Sequence, residues 1–363
     1  MRLTQLKLSY GEMFCGPGGL SKGAFLASEM HDKISIEHGW ATDIDVDACK
    51  TYAYNICGDI NSKSVYPDDI REPLHFIIKK LPPVDLLTFG FPCNDFSIVG
   101  EKLGIQGKYG PLYSYCVNAL KILKPTVFVG ENVGGITSSN QGQTFKVILN
   151  AFIDAGYRLT VNKFKFENYG VPQKRHRIVI VGFRNDTPYK FEVPAEFDSP
   201  AMTAKNALEI PLINGATNNE LTKNTQKVID RLSWIDEGKN IWHAMEKPDF
   251  PDQLRLNVKG AKLSQIYRRL HSNEPAYTIT GSGGGGTHVY HWEENRALTN
   301  RERARLQTFP DDYVFYGGKE SVRKQIGMAV PVQGAKVIFN AILNCILGKE
   351  YAYQPPSIGY FMK

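Results

Sequence analysis

The sequence predicts an α/β protein with an open, mainly parallel, Rossmann-like sheet and a second, smaller, loop-rich domain. In the first half of the chain, short apolar runs typical of buried strands alternate with segments of helical spacing. A glycine-rich turn follows the first apolar run. After Arg184 the alternation stops and a polar stretch with several prolines begins. Strands that alternate with helices favour a parallel sheet covered on both faces.

The predicted elements follow one another in a simple order. The strands are Leu6–Phe14, Gly39–Ile44, Val84–Gly90, Thr126–Glu131 and Arg177–Phe183. The helices between them are Val46–Asn55, Leu112–Leu123 and Gln143–Ala155. A glycine-rich loop at 281–286 and a helix over Thr299–Phe309 follow the irregular stretch. We therefore divide the chain into residues 1–186, residues 187–295 and residues 296–363, the last of which returns to the first domain.

Composition places the chain among soluble globular proteins. Of its 363 residues, 42% are hydrophobic and 22% are charged, and this length accommodates one large and one smaller domain. No uninterrupted apolar run reaches the ~18 residues typical of a membrane span. The first residues lack the features of a signal peptide. We therefore expect a cytoplasmic protein.

Cysteine spacing and charge add weaker constraints. The six cysteines form no C-x-x-C pair and no zinc-type cluster, which favours a reduced compartment without a structural metal. The net charge of +6 is compatible with a nucleic-acid partner but does not establish one. Residues 254–273 hold five Lys/Arg and no Asp/Glu, although by charge alone such a run is more often a solvated face.

A candidate cofactor site follows the first strand. The segment Phe14-Cys-Gly-Pro-Gly-Gly19 allows a sharp turn and a close approach of a ligand to the main chain. The helix that begins near Leu20 offers free N–H groups. The next strand leads to Asp43, whose carboxylate can accept hydrogen bonds from ribose hydroxyls, while Asp45 fits a helix N-cap. These features indicate an adenosine-containing cofactor and leave NAD and S-adenosylmethionine as alternatives.

Reactive residue types occur at the expected carboxyl edge of the sheet. Cys93 follows Pro92 directly after the strand Val84–Gly90, where parallel sheets bind ligands. Glu131 ends the next strand, and Gln173-Lys-Arg-His-Arg177 leads into the last one. A lone cysteine is most often a small buried hydrophobe, but this position suits a nucleophile.

With these residues the sequence resembles the DNA (cytosine-5-)-methyltransferase family of the bacterial restriction-modification type. The resemblance extends over essentially the whole chain, with the family's blocks in order. These blocks are the glycine loop at 14–19, Pro92-Cys93, Glu131-Asn-Val133, Gln173-x-Arg-x-Arg177, Arg296–Pro310 and Gln325–Pro331. Their order makes the match specific, although any one of them alone is a weak signal.

The resemblance implies a covalent mechanism. The Cys93 thiolate would add to carbon 6 of cytosine and make carbon 5 nucleophilic toward the methyl group of S-adenosylmethionine. Glu131 would protonate or hydrogen-bond ring nitrogen 3. Arg177 would hold the base oxygen and restrain that carboxylate. Arg175 would share this task in part, with a phosphate contact or a salt bridge as its alternative. Because a stacked cytosine cannot reach Cys93, the base must be flipped out of the duplex.

The resemblance also implies a cofactor pocket and a DNA-binding surface. The expected cofactor residues are Phe14, Gly16, Gly18, Asp43, Ile44, Asp69, Ile70, Pro92 and Leu112, with Asp59 as the alternative to Asp69. Residues 187–295 would form the target-recognition domain on double-stranded DNA, and the loop 94–110 would close over it. The candidate DNA contacts are Ser97, Arg255, Lys259, Lys262, Ser264, Gln265, Arg268, Arg269 and Thr278. We further expect a monomer that pairs functionally, but not physically, with a cognate restriction endonuclease.

Two residues differ from the family pattern. Three other functions are alternatives to a DNA methyltransferase. Asn94 replaces the usual Gln, and Met328 replaces the usual Asn. A tRNA-methylating relative would carry a Cys-Phe-Thr tripeptide, which this sequence lacks. A catalytically silent repressor would not need the intact catalytic residues. An NAD oxidoreductase would explain the glycine loop but none of the later blocks.

Overall fold

The computed structural model describes residues 5–70, 81–91, 112–133, 142–257, 263–284 and 286–362. The chain divides into two compact units. The first unit consists of Met1–Phe166, His176–Phe197 and Val332–Lys363. The second unit consists of Glu167–Arg175 and Asp198–Pro331.

Strands and short helices alternate through the described residues. The strands are β1 (Leu6–Met13), β2 (Ile34–Thr42), β3 (Val65–Tyr66), β4 (Leu86–Phe89), β5 (Val127–Val133), β6 (Tyr157–Lys165), β7 (Gln173–Lys174), β8 (His176–Arg184), β9 (Val193–Pro194), β10 (Ala276–Tyr277), β11 (Tyr353–Gln354) and β12 (Gly359–Phe361). The helices are α1 (Gly19–Ser28), α2 (Val46–Tyr52), α3 (Leu112–Leu123), α4 (Gln143–Asp154), α5 (Ala204–Glu209), α6 (Gln226–Leu232), α7 (Ile241–Met245), α8 (Asn300–Leu306), α9 (Lys319–Met328) and α10 (Val332–Leu347).

The first unit contains an eight-stranded mixed sheet in the order β12-β6-β8-β5-β4-β1-β2-β3. The neighbours β5, β4, β1, β2 and β3 run parallel, whereas β8 is antiparallel to both β5 and β6. The chain adds β2 and β3 on one side of β1 and then places β4 on the other side. The strand order therefore reverses between β1 and β4, and ligands of such sheets bind at the carboxyl ends of the strands beside this reversal. The predicted Rossmann-like α/β fold is confirmed.

Register brings the ends of three central strands to the same level. Met13 pairs with Phe89, and Phe89 pairs with Gly130. The aromatic ring of Phe89 stacks on Phe128 with centroids 5.4 Å apart, and both rings are fully buried. The Phe89 ring also lies so close to Gly130 that a Cβ there would be 2.8 Å from it, so side-chain packing specifies this register. The residues that follow these strands therefore begin side by side at one edge.

The second unit is built from short helices and irregular segments. The parallel pair β7 and β10 is its small sheet, and two apolar clusters fill its interior. Thr299 caps α8 in a capping box with Glu302, which satisfies donors at both ends of the motif. The irregular stretch predicted from the prolines thus includes the short helices α5, α6 and α7.

Some predicted bounds differ from the structure for identifiable reasons. The sequence interpretation missed β6, because polar and basic residues interrupt its apolar alternation. The helix predicted over Val46–Asn55 divides into α2 and a π-helical turn, Ala53–Cys57. Of the third predicted segment, 296–363, the part up to Pro331 belongs to the second unit and α10 belongs to the first. The functional labels of the three segments stay predictions.

One stretch, Lys319–Leu347, is long and apolar enough to cross a membrane by composition alone. Of its most apolar window, 72% is buried inside the protein. Core helices of globular proteins pass the same test of length and hydropathy. The burial favours this interpretation for α9 and α10.

Candidate active site

The loop between β1 and α1 requires backbone conformations that favour glycine. Gly16 and Gly18 have φ values of 50° and 88°, in the left-handed region. Phe14 also has a positive φ, 56°, which is unusual for a bulky residue and marks a constrained turn. A Cβ placed on Gly16 would meet no atom within 4 Å, so this position faces open space. The loop therefore combines a tight turn with room for a ligand.

Asp43 holds this loop in place. Its Oδ2 accepts a hydrogen bond from the Gly16 N–H at 2.8 Å, and its Oδ1 accepts one from the Asp45 N–H at 2.9 Å. Asp45 in turn caps α2 by accepting from two backbone N–H groups, as the sequence indicates. The predicted contact of Asp43 with a ribose hydroxyl stays a prediction.

The other predicted cofactor residues that the structure describes lie at the same edge or in the adjoining core. Ile70 and Leu112 are buried in one apolar cluster, against which Phe14 packs. Ile44 is 62% exposed next to Asp43. The alternative residue Asp59 is exposed and accepts a hydrogen bond from the Asn61 N–H in a local turn, which accounts for it without a ligand.

Glu131 and Arg177 form an ion pair at the end of β5. The Arg177 Nε lies 2.8 Å from Glu131 Oε1, and the side chains are 13% and 14% exposed. The strand register explains the pairing, because Arg177 lies opposite Val133 and its side chain reaches two residues along β5. The second oxygen, Oε2, lies 3.3 Å from where a Cβ on Gly90 would be. The carboxylate is therefore oriented toward the residues that follow β4.

Asn132 links β5 to the segment that precedes Pro92. Its Nδ2 donates to the Phe91 carbonyl oxygen at 3.3 Å, and its side chain is buried. Its Oδ1 accepts from the Val133 N–H at 2.8 Å. The sequence interpretation quoted Glu131-Asn132-Val133 as a block but gave Asn132 no role. Pro92, Cys93 and Ser97 themselves lie outside the described residues.

The hydrogen bonds that Arg175 donates to Ile279 and Gly327 lie within the second unit. It is 2% exposed and donates to the carbonyl oxygens of Ile279 and Gly327, each at 3.1 Å. Nearby, Gln173 accepts from the Ile279 N–H at 2.8 Å and donates to the Leu306 carbonyl oxygen at 3.0 Å. Both side chains therefore brace the interior of the second unit, and the contact of Arg175 with the base or with Glu131 stays a prediction.

The candidate DNA contacts fall into two groups. Arg269 is 3% exposed and its guanidinium donates to the carbonyl oxygens of Leu232, His291 and Glu294. It is a structural residue of the second unit, so the prediction that it contacts DNA is corrected. Lys259 and Lys262 lie outside the described residues.

The remaining candidates are accessible in the second unit. Arg268 lies over the Tyr277 ring at 4.6 Å and lines a cavity of about 310 Å³. Thr278 donates to the Lys174 carbonyl oxygen at 2.7 Å. The other accessible candidates are Arg255, which pairs with Asp252, and the exposed Ser264 and Gln265. Their contacts with DNA stay predictions.

A buried carboxyl group lies on β1 just before the cofactor loop. Glu12 is 1% exposed, and burial is the main reason that its pKa rises to about 8. The Ser21 and Tyr10 hydroxyls donate to it and oppose this rise, whereas the charge of Asp43 adds to it. At neutral pH the group is therefore mostly protonated. Glu12 and Ser21 join the strand and the helix on either side of the loop.

The chain is similar over residues 8–344 to the family described as C-5 cytosine-specific DNA methylase. It is 53% identical over 356 residues to Type II methyltransferase M.BbvI from Brevibacillus brevis, covering 95% of this chain and 93% of that protein. It is 39% identical over 344 residues to Type II methyltransferase M.NgoFVII from Neisseria gonorrhoeae, covering 91% and 85%. A solved structure of Entamoeba histolytica methyltransferase EhMeth has the same fold, with a TM-score of 0.62, 15% identity and coverage of 95% and 99%.

We expect Glu12→Gln to change the pH dependence of stability. Because the folded-state pKa is raised, the contribution of Glu12 is fully present below its unfolded-state value of about 4.3 and is lost as pH rises through about 8. The melting temperature of the wild type should therefore fall more between these values than that of Glu12→Gln, and the variant should be more stable above pH 8. Glu37→Gln, at an exposed position on β2, is the control. Parallel pH profiles for wild type and Glu12→Gln would contradict the prediction.

Proposed function

Because the chain belongs to the C-5 cytosine-specific DNA methylase family, we propose that it methylates carbon 5 of a flipped-out cytosine through a covalent bond to Cys93. Membership gives its enzyme class, DNA (cytosine-5-)-methyltransferase. The methyl donor, the flipped base and the covalent step are the proposal. The observation that carries it is the Glu131–Arg177 ion pair, oriented toward the end of β4 from which the chain continues to Cys93.

The residues around the first loop fit S-adenosylmethionine. Gly16 faces open space beside the N-terminus of α1, where backbone N–H groups can bind a carboxylate. The Asp43 carboxylate, which lies against Gly16, would accept hydrogen bonds from ribose hydroxyls, and the exposed Ile44 would offer an apolar surface to a base. When bound, this cofactor supplies an activated methyl group. The chain's own residues would bind and orient it.

Protein groups would carry the chemistry on the base. The Cys93 thiolate would form a bond to carbon 6 of cytosine, and the electron pair of the 5,6 double bond would shift toward carbon 5. Glu131 would hydrogen-bond or protonate ring nitrogen 3 and so stabilise this shift. Arg177 fixes one carboxylate oxygen and would leave the other for the base. After methyl transfer, loss of the carbon-5 proton would restore the double bond and release the thiolate.

The other cysteines for which a pKa shift is resolved are poor nucleophile candidates. Burial raises the pKa of Cys15 and Cys116 well above the usual range. A thiol with a raised pKa is mostly protonated at neutral pH and reacts slowly. In the sequence, Cys93 comes two residues after Phe91, which lies at the carboxyl edge of the sheet. Asn132 donates a hydrogen bond to the Phe91 carbonyl oxygen. This placement supports Cys93 as the nucleophile.

The similarity to Type II methyltransferases suggests the biological setting. We infer that the chain modifies a short, specific double-stranded DNA site in the cytoplasm, as the modification half of a restriction-modification system. It would act as a monomer, paired functionally with a cognate endonuclease. Residues 187–295 would supply target recognition, with Gln265 and Arg268 as candidates to contact bases or phosphates.

Sequencing of methylated cytosines tests the activity and the site together. DNA from a host that expresses the wild type should carry 5-methylcytosine at one short recognition sequence, and DNA from a host that expresses Cys93→Ser should carry none. A serine hydroxyl is far less ionised than a thiol and adds to cytosine too slowly. Equal expression of the two proteins is the control. Methylation by Cys93→Ser at the wild-type level would contradict the mechanism.

Asn132→Asp tests whether the link to Phe91 positions the nucleophile. Aspartate keeps the acceptor for Val133 but removes the donor and brings a carboxylate against the Phe91 carbonyl. Because misplacement of a reacting group by about 1 Å can cost on the order of 100-fold, we expect kcat to fall at least about tenfold while KM for the cofactor changes little. Asn162→Asp, another buried asparagine on β6, should keep wild-type kcat. Equal kcat in both variants would remove Asn132 from this role.

A further inference from the structure

Arg303 of α8 has fewer hydrogen-bond partners than the arginines near it. Arg301 donates to the carbonyl oxygens of Thr217, Pro310 and Tyr313. Arg303, two residues further along α8, is 1% exposed, and neither of its terminal nitrogens, Nη1 and Nη2, has a hydrogen-bond partner among the described residues.

The other two arginines within residues 296–305 also have hydrogen-bond partners, in this case carboxylates. Arg305 binds the Asp311 carboxylate with two nitrogens. Arg296 binds the carboxylates of Glu294 and Glu302. Among the arginines of residues 296–305, Arg303 is therefore the one whose terminal nitrogens lack acceptors in the described part of the chain. A buried guanidinium without acceptors is costly, so the position requires an acceptor group.

A second cation adds to this requirement. The buried Nε of Arg323 also lacks a partner among the described residues. Its Nη2 makes only long contacts, at 3.4 Å to the Gly283 carbonyl oxygen and 3.6 Å to Glu320, whose side chain is 88% exposed. The charge of Arg323 is close enough to Arg303 to contribute to the lowering of the Arg303 pKa. Glu302, the carboxylate on the same helix, already binds Arg296.

Neutral groups complete the surroundings. Burial, followed by the charges of Arg303 and Arg323, lowers the pKa of His288 to about 4, so this ring is neutral at physiological pH. The Tyr290 side chain is buried and the Tyr277 side chain is partly buried, and both interact electrostatically with Arg303. Burial lowers the pKa of Arg303 to about 10, and the guanidinium remains charged. The cluster thus has two positive charges and several potential donors.

Glycines cover part of this cluster. A Cβ on Gly283 would lie 2.4 Å from the Arg323 Nε, and a Cβ on Gly286 would lie 2.6 Å from the Tyr267 ring. Only glycine therefore fits at these two positions. The hydrogen bond from Arg323 Nη2 to the Gly283 carbonyl oxygen is long and therefore weak. Little hydrogen-bond energy is lost if the Gly283 backbone moves away from Arg323.

We propose that Arg303 and Arg323 form a binding site for a phosphate-type oxyanion, reached when the backbone around Gly283 moves aside. A phosphate has more acceptor oxygens than a carboxylate and can bind two guanidinium groups through separate oxygens. In the methyltransferase, the oxyanion is a backbone phosphate of duplex DNA. This assignment rests on the proposed function, whereas the anion site itself does not.

Thermal unfolding of the purified protein in sodium phosphate, against sodium chloride at the same ionic strength, tests the anion site. The wild type should show a saturable rise in Tm, on the order of 5 °C at phosphate concentrations far above Kd. Arg303→Met should lose the saturable part and keep only the weak linear stabilisation that phosphate gives to most proteins. Lys227→Met, which removes an exposed charge from α6 of the same unit, should respond like the wild type.

Tm values in sodium chloride alone show whether Arg303→Met loses the phosphate effect specifically or because its fold is less stable. Arg303→Met leaves no described acceptor without its donor, so its Tm should equal or exceed that of the wild type. Arg301→Met deprives three carbonyl oxygens of donors, one of them in a fully buried hydrogen bond, and should lower Tm. A saturable phosphate effect that persists unchanged in Arg303→Met, or that is missing from the wild type, would overturn the proposal.

Binding of duplex DNA identifies the source of the oxyanion. If a backbone phosphate occupies the site, the slope of log K against log salt should fall in magnitude by about 0.9 in Arg303→Met, as for one lost phosphate contact. If free phosphate alone fills the site, the slope stays as in Lys227→Met while the Tm response is still lost. Neither readout requires methylation, so failure of the proposed function would be seen separately.

Discussion

Burial of β4 between two parallel neighbours is the constraint on which the active-site geometry depends. All four residues of Leu86–Phe89 are buried, and their register places Phe89 beside Met13 and Gly130. The three chain segments that leave these positions carry the cofactor loop, Phe91 and the Glu131 carboxylate. A slip of one residue would move the Phe89 ring away from the space beside Gly130, so side-chain packing fixes where the polar groups lie.

The acidic side chains at this edge have different surroundings. Glu12 is buried among hydroxyl groups, and burial keeps it mostly protonated at neutral pH. Asp43 accepts from two backbone N–H groups, and Glu131 is paired with Arg177. The first therefore serves as a neutral link between β1 and α1. Asp43 holds the loop between β1 and α1, and Arg177 orients the Glu131 carboxylate.

The sequence could predict the elements whose pattern is local. Glycines and strand ends marked the first loop, and the bounds of α3 follow from its helical spacing. It could not predict the role of Arg175, because its acceptors Ile279 and Gly327 are 104 and 152 residues away along the chain. The family resemblance and the basic run together assigned Arg269 to DNA, whereas tertiary structure buries it. Long-range hydrogen bonds and burial therefore decide which members of a basic run are structural.

Covalent capture of the enzyme on DNA tests the central claim most directly. Duplex DNA with 5-fluorocytosine at the target site should react through methyl transfer and then stop, because the carbon-5 fluorine cannot leave as a proton does. The account predicts a denaturation-resistant protein–DNA adduct whose cross-linked peptide contains Cys93, formed only when S-adenosylmethionine is present. Full turnover on this DNA without an adduct, or a cross-link that maps to another residue, would contradict it.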